Sequence, residues 1–224
     1  MPYALRDDIS FCWVEGHPFF LDIRNDRYFR LQSPVERAFI ACSQGEYTQL
    51  DLSELVERNI LIKAPAGTAH VSAVSVERPC RSAFEESVPH RRIRVAVLLE
   101  AFAAVYLTCL WKRMHALKDV LSALDRYRNR RAPPQAVPTT GNGQQLAMAA
   151  TEFRTARLYV PVETTCLLDS LAMVRFLARR GLHANLVFGV ACDPFSAHCW
   201  VQAGDRVLND TVGNVNAHTP IRVV

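Results

Sequence analysis

Three side chains in the last third of the chain have the right types to cleave an amide: Cys166, His198 and Asp210. Cys166 follows "VETT" and opens "CLLDSLAMVRFLARRG" (166–181), a helical segment that closes on a glycine and carries two arginines in its last turn. At a helix start the unpaired N–H groups and the positive dipole end favour thiolate over thiol, and a nearby imidazolium would favour it further. His198 sits in "AHCWVQAGDRVLND" (197–210), which reads as a strand, a tight turn and a return strand ending at Asp210. In such a set the sulfur attacks a carbonyl, the imidazole moves the proton, and the carboxylate orients and charges the imidazole.

The hairpin carries a geometric requirement. Side chains alternate faces along a strand, so His198, Trp200 and Gln202 share one face, and Cys199 and Val201 the other. Cys199 is therefore expected to point away from whatever His198 serves. For Asp210 to lie opposite His198, three residues (Ala203, Gly204, Asp205) must form the loop, giving the pairs 202:206, 200:208 and 198:210. A two-residue Gly-Asp turn would set the aspartate on the wrong face unless a bulge corrects the register. Metal binding is the rival use of Cys192, His198, Cys199 and Asp210, but no CxxC or HxxxH spacing accompanies them, and no metal is expected. The nine glycines never fall into a GxGxxG or GxxxxGK phosphate-binding pattern.

The elements that must hold these residues indicate an α+β fold. "ANLVFGVA" (184–191) reads as a buried strand beside the hairpin, and "TVGNVNAHTPIRVV" can hold one more. Upstream, "SFCWVE", "PFFLDI" and "RYFRLQ" read as three short strands, with turns at "GHP" (16–18) and "RND" (24–26). Ser33, Pro34 and Glu36 form a helix-start signal for a helix running to about Cys42. A second helix begins near Asp51 or Ser53, with Leu52, Leu55 and Val56 on one face, and "ILIK" (60–63) closes a small βββαα module over residues 1–64. Residues 65–92 read as a linker. Between His90 and Ala132 there is neither Gly nor Pro, which fits one long helix or two in sequence. "APPQAVPTTGNG" (132–143) breaks the pattern, and another helix is expected from Gln144 to about Leu158. Residues 93–224 form the second domain.

Composition sets the remaining bounds. The chain has 224 residues, 50% of them hydrophobic and 21% charged, with a formal net charge of +4. The basic clusters "HRRIR" (90–94) and "RYRNRR" (126–131) flank a helical segment and are expected to be solvated helix ends, so no nucleic-acid partner is expected. Seven cysteines occur without a repeating spacing, and "MPYALRDDIS" has no secretory pattern, so reduced thiols and a cytoplasmic location are expected. Val95–Trp111 is apolar but a little short for a span and contains Glu100, so a buried helix is expected rather than a membrane segment.

The helix-start cysteine, "GVACDPFSAHCWV" and "VLND" resemble the transglutaminase-like (papain-like) cysteine protease domain of the lasso peptide B proteins, over roughly residues 145–224. By that resemblance Cys166 is the nucleophile, His198 the general base and Asp210 the orienting acid. The N-terminal module resembles the PqqD-like winged-helix unit called a RiPP recognition element, which binds the leader of a precursor peptide as an added strand. The resemblance puts the leader contacts among Tyr28, Phe29, Arg30 and Leu31 on the last strand and Leu52, Leu55 and Arg58 on the helix. Phe29 and Leu31 also suit a small core, which leaves Tyr28 and Arg30 on the opposite face as the better contacts. The implied activity is leader removal from a lasso peptide precursor, which frees the core N-terminus for an asparagine-synthetase-like macrolactam synthetase. The implied cofactor is none on this chain, with a dependence on ATP acting through that synthetase. A non-catalytic leader-binding chaperone and a Cys-His-Asp acyltransferase or transglutaminase are the alternatives. The oxyanion donors are not readable from the sequence; the N–H of Cys166 is a natural candidate, with a side chain of "VETT" as a second. Helices 93–128 have either a packing role or a synthetase-docking role.

Overall fold

The computed structural model of the protein describes residues 3–45, 51–64, 71–86, 93–134 and 140–224, without the side chains of 140–142. The chain divides into two compact units, residues 1–75 with 219–222, and residues 76–218 with 223–224. The architecture is mixed α+β.

In the first unit, β1 (Tyr3–Leu5) pairs antiparallel with the later β5 (Leu61–Lys63), while β2 (Ile9–Val14), β3 (His17–Asp22) and β4 (Arg27–Arg30) form a separate antiparallel sheet in that order. β1 lies outside the three strands expected from sequence. The β2–β3 turn is Glu15-Gly16, not 16–18: both residues have positive φ, and Val14 pairs with His17, so His17 and Pro18 already belong to β3. That is the two-residue turn whose twist matches a hairpin. Asp22 closes the β3–β4 connection, accepting the N–H groups of Arg24 and Asn25, the Asn25 amide and the Arg6 guanidinium. Burial pushes its carboxyl up, but these donors outweigh it and hold the group below its ordinary value.

Helix α1 (Val35–Ser43) begins one residue later than the Ser33-Pro34 signal indicated, with Pro34 as its cap. The expected acid, Glu36, bonds the His17 ring at 2.5 Å. Helix α2 (Ser53–Glu57) starts where expected, its first N–H held by Asp51. Period-2 placement on the strands brings Phe11 and Phe20 opposite each other, and both rings meet Phe39 edge-on at 5.0 and 4.8 Å. Leu31, Leu52, Leu55, Leu61 and Val71 complete this core. Val71 lies in the stretch read as linker; of that stretch, 65–70 and 87–92 fall outside the described residues.

In the second unit, α3 (Val95–Met114) and α4 (Leu117–Arg131) resolve the Gly- and Pro-free stretch into two helices. Helix α5 (Thr140–Arg157) starts four residues before Gln144, and α6 (Cys166–Arg179) is buried on nearly all sides. The sheet runs β7 (Asn185–Cys192), β8 (Phe195–Ala203), β9 (Arg206–Val207), β6 (Arg81–Ser82), with β6 parallel to β9, and β10 (Thr219–Val223), most of which falls in the first unit, is the last strand of the chain. The short α7 (Val212–Asn216), absent from the sequence reading, precedes β10.

Two expectations need correction here. Helix α3 is not a buried helix: Val97, Ala101, Ala104, Val105 and Thr108 face inward, whereas Leu99, Phe102, Tyr106 and Leu110 are exposed. It is long and apolar enough to cross a membrane by length and composition. Its Glu100 is paired with Arg180 at 2.9 Å, and Arg180 also holds Glu152, which binds α3, α5 and α6 together. Arg128, in the basic cluster read as a solvated helix end, is buried: it donates to Val224 O at 2.7 Å, to Ala184 O and to Asp125. Most of "HRRIR" lies outside the described residues.

Candidate active site

Cys166 is the first residue of α6, as its sequence context requires, and Thr165 is the N-cap, its hydroxyl accepting the Leu168 N–H. The loop ahead of the cysteine is fixed by Arg157, a buried arginine at the end of α5. Its guanidinium bonds the carbonyls of Val160, Val162 and Glu163 and reaches Asp169 one turn into α6 at 2.7 Å. Burial pushes the Asp169 carboxyl up even with that partner. One side chain thus bolts the approach to Cys166 onto the helix that Cys166 starts.

The hairpin departs from the expected register. Gln202 pairs with Val207 and Ala203 with Arg206, so the turn is the two-residue Gly204-Asp205 form. Continued as a ladder, that register would put Asp210 on the face away from His198. It does not continue. The β9 strand ends at Val207; Leu208 N still donates to Val201 O, but the Val201 N–H is taken by the Asn209 side chain at 2.8 Å. A side-chain carbonyl replaces the next backbone partner, the chain leaves the sheet, and Asp210 swings to the histidine. The His198 Nε2–Asp210 Oδ2 distance is 2.5 Å.

The early end of β9 also leaves the edge of β8 open at Cys199, and α6 fills it. Ser170 donates to Cys199 O at 3.2 Å and is itself held by Asn209 Nδ2 at 2.8 Å. The N–H of Cys199 donates to the Cys166 sulfur, which occupies the place of a ladder acceptor. A sulfur seated at the sheet edge can be reached from both faces. His198 bonds it from one side, and the Cys199 thiol bonds it from the other. The expectation that Cys199 takes no part is therefore wrong: face alternation held, but the partner lies at the edge between the faces.

The electrostatics follow from these contacts. The Cys166 thiol is brought down to about 4, first by the Cys199 thiol bond and then by His198, against its partial burial. His198 is pushed up to about 9, first by Asp210 and then by the Cys166 sulfur. For Asp210, burial acts upward, but the bonds from His198, the Thr211 N–H (2.7 Å) and the Asn214 amide (2.8 Å) hold it below the usual carboxylate range. Since Nε2 of His198 is taken by Asp210, Nδ1 faces the sulfur. Around neutral pH the resting pair is thiolate and imidazolium, with a carboxylate behind.

Packing fixes the imidazole. Its ring lies 6.1 Å from Trp200, which is fully buried and bonded through Nε1 to Gln202, and 5.3 Å from His218. His198 is paired across the sheet with Gly189, where a Cβ would come within 2.7 Å of the Trp200 ring. Ser82 donates to the Asp210 carbonyl, which anchors the acid from β6. Sequence reasoning missed Cys199, Asn209, Ser170, Asn214, Ser82 and Arg157. Of these only Asn209, inside "VLND", carried a motif signal.

In the first unit, β4 is one of the two outer strands of its sheet, with Arg30 exposed and Tyr28 half-buried. Phe29 stacks on Phe20 at 5.0 Å, and Leu31, Leu52 and Leu55 are core residues with almost no exposure. Arg58 is exposed and paired with Glu54. Among the described residues no cluster of His, Cys, Asp and Glu could hold a metal ion.

The family model of the transglutaminase-like superfamily matches residues 103–223, more than half of the chain and all three site residues. The microcin J25-processing protein McjB of Escherichia coli is 44% identical over 48 residues, a match that spans 21% of this chain and 23% of that protein. No solved structure matches the chain. Both matches agree with the resemblance to the lasso peptide B proteins, and the extent of the first settles the family. The chain belongs to the transglutaminase-like superfamily.

Proposed function

We propose that the protein is a cysteine peptidase that removes the leader from a lasso peptide precursor. The observation that carries this reading is the bonded series Cys166, His198, Asp210, in which an exposed thiolate has its proton donor already in place. The thiolate attacks the scissile carbonyl, and the Nδ1–H of His198 protonates the departing amine. The neutral imidazole then activates water against the acyl-enzyme. Asp210 holds the ring and its charge throughout. The first-turn N–H groups of α6, that of Cys166 foremost, are aimed at a developing oxyanion, and the Thr165 hydroxyl hydrogen is a second candidate donor. A cleft of about 500 Å³, lined by Tyr106, Leu110, Lys112, Val162, Glu163 and Thr165, opens beside the nucleophile and suits an extended peptide.

The N-terminal unit is the leader-binding part of this reading, a winged-helix-like recognition module whose free edge, β4, takes the leader as a further strand. Tyr28, Arg30 and Arg58 are its surface contacts. Phe29, Leu31, Leu52 and Leu55 support them from within. An asparagine-synthetase-like macrolactam synthetase, working with ATP, is the partner that consumes the freed amine. All seven cysteines are free thiols, which suits a cytoplasmic enzyme.

The test is to incubate the chain with precursor, synthetase and ATP and to weigh the products. Leader fragment plus core is the expected outcome. A Cys166→Ala variant should abolish cleavage while retaining leader binding, and Tyr28→Ala should weaken binding while Cys166 stays reactive. An amine adduct would convert the assignment to acyl transfer. Undiminished function of Cys166→Ala would make the protein a non-catalytic leader chaperone.

A further inference from the structure

We propose that Cys166 and Cys199 form a redox pair: a hydroperoxide oxidises Cys166, and Cys199 then closes on it as a disulfide that a dithiol reopens. This goes beyond the peptidase reading and does not depend on it, because it needs only the two sulfurs and the imidazolium beside them, whatever substrate the site acts on. The geometry places the two sulfurs together: Cys166 starts α6, and Ser170, one turn further on, donates to the Cys199 carbonyl at 3.2 Å, which sets Cys199 of β8 against that first turn. Each sulfur acts on the other's ionisation, and Cys166 is exposed whereas Cys199 is 2% exposed. A peroxide can thus reach Cys166 but not Cys199. That is the arrangement of a peroxide-sensitive thiolate with a resolving thiol beside it.

The two steps balance as follows. The Cys166 thiolate attacks one oxygen of the hydroperoxide and the O–O bond breaks. The alkoxide or hydroxide leaves with the proton of the His198 imidazolium, so the sulfur is oxidised to a sulfenic acid and the peroxide is reduced to an alcohol or water. Cys199 sulfur then attacks Cys166 sulfur. The S–O bond breaks, and the hydroxyl leaves with the Cys199 proton as water. The order is enforced electrostatically. While Cys166 is a thiolate, that neighbouring charge and burial push the Cys199 thiol up and keep it protonated. Converting Cys166 to a neutral sulfenic acid removes the charge and frees Cys199 to react. Cys199 is thereby a silent donor in the reduced enzyme and a nucleophile only after oxidation.

Of the other cysteines, Cys12 and Cys42 are buried in the first unit, Cys80 is bonded to Asp205, and Cys109, on the wall of the cleft, and Cys192 are half-buried. The experiment treats the reduced full-length chain with one equivalent of hydrogen peroxide, blocks remaining thiols with N-ethylmaleimide, and maps the peptides by mass. The expected product is a linked pair of peptides carrying Cys166 and Cys199, separated by dithiothreitol with recovery of both thiols. Cys199→Ser, close in size, should instead accumulate sulfinic and sulfonic acid at Cys166 that dithiothreitol does not reverse. Three outcomes would overturn the proposal: over-oxidation of Cys166 at the same rate in both proteins, a disulfide from Cys166 to any other cysteine, or Cys166 remaining a thiol while others oxidise. The wild-type map decides the matter even if the variant fails to fold.

Discussion

Gly189→Ala is a single methyl placed against the least yielding part of the site. The added carbon would lie 2.7 Å from both Cη2 and Cζ3 of Trp200 and 3.0 Å from the His218 Cβ. Favourable carbon contacts fall at roughly 3.5–4.0 Å, so the overlap with the indole is on the order of 1 Å. Trp200 cannot slide away cheaply: it is fully buried, and its N–H is held at 2.9 Å by Gln202, whose own amide is tied to the carbonyls of Glu77 and Gly204. Overpacking of this kind costs about 1–3 kcal/mol. In a chain of this length each 1 kcal/mol moves the melting temperature by roughly 2–4 °C, so a drop of about 2–12 °C is expected. Because the His198 ring rests against Trp200, alkylation of Cys166 at neutral pH should slow as well. Gly213→Ala is the matched control. Nothing lies within 4 Å of its added carbon, and it sits in α7 without positive φ, so the change should be neutral or stabilising by up to about 1 kcal/mol. Thermal melts followed by circular dichroism decide between them. A Gly189→Ala protein that melts with the wild type and alkylates at the same rate would refute the claim that packing under the imidazole positions it.

Two further substitutions probe the supports. Asp210→Asn keeps the shape but replaces the carboxylate whose hydrogen bond does most to raise His198, so its pKa should fall toward the ordinary value and the pH midpoint of Cys166 alkylation should rise. Leader cleavage should fall by roughly 10³- to 10⁴-fold, the scale of losing a triad carboxylate, while precursor binding measured by anisotropy stays unchanged. Arg157→Lys keeps the charge but cannot bridge three carbonyls and Asp169 at once. It should cost about 1–3 kcal/mol in a denaturant titration and reduce cleavage through a loosened approach to Cys166.

The three candidate residues were legible because their chemistry is local: a cysteine after a threonine cap, a histidine in an alternating strand, and an aspartate after a return. Their meeting was not legible in detail. The predicted three-residue loop and the actual two-residue turn reach the same contact by different routes, because the side chain of Asn209 ends the ladder early. Nothing in the alternation of "AHCWVQ" shows that the edge of β8 is open at Cys199, so the second thiol was assigned to the wrong environment. Arg128 reads as part of a solvated helix end and Arg157 carries no signal at all, since a sequence records their charge but not the carbonyls gathered around it. On β4 and α2, apolar side chains could equally have walled a groove or filled a core. Leu31, Leu52 and Leu55 fill it, because a unit this small needs them inside.

The thiolate–imidazolium pair underlies both the proposed cleavage and the proposed oxidation, and the rate of Cys166 alkylation as a function of pH reads it directly. Only the thiolate reacts, and bonds from Cys199 and His198 lower its pKa, so reactivity should persist on the acid side and halve only near the value of about 4. Cleavage, which also needs the proton on His198, should decline as pH rises through about 9. Iodoacetamide labelling at Cys166, quantified by peptide mass from pH 3 to 10, is the measurement. The expected result is a plateau from about pH 5 through neutrality, well below the ordinary thiol range. A single rise centred at roughly pH 8.5, as for an unperturbed cysteine, would contradict it.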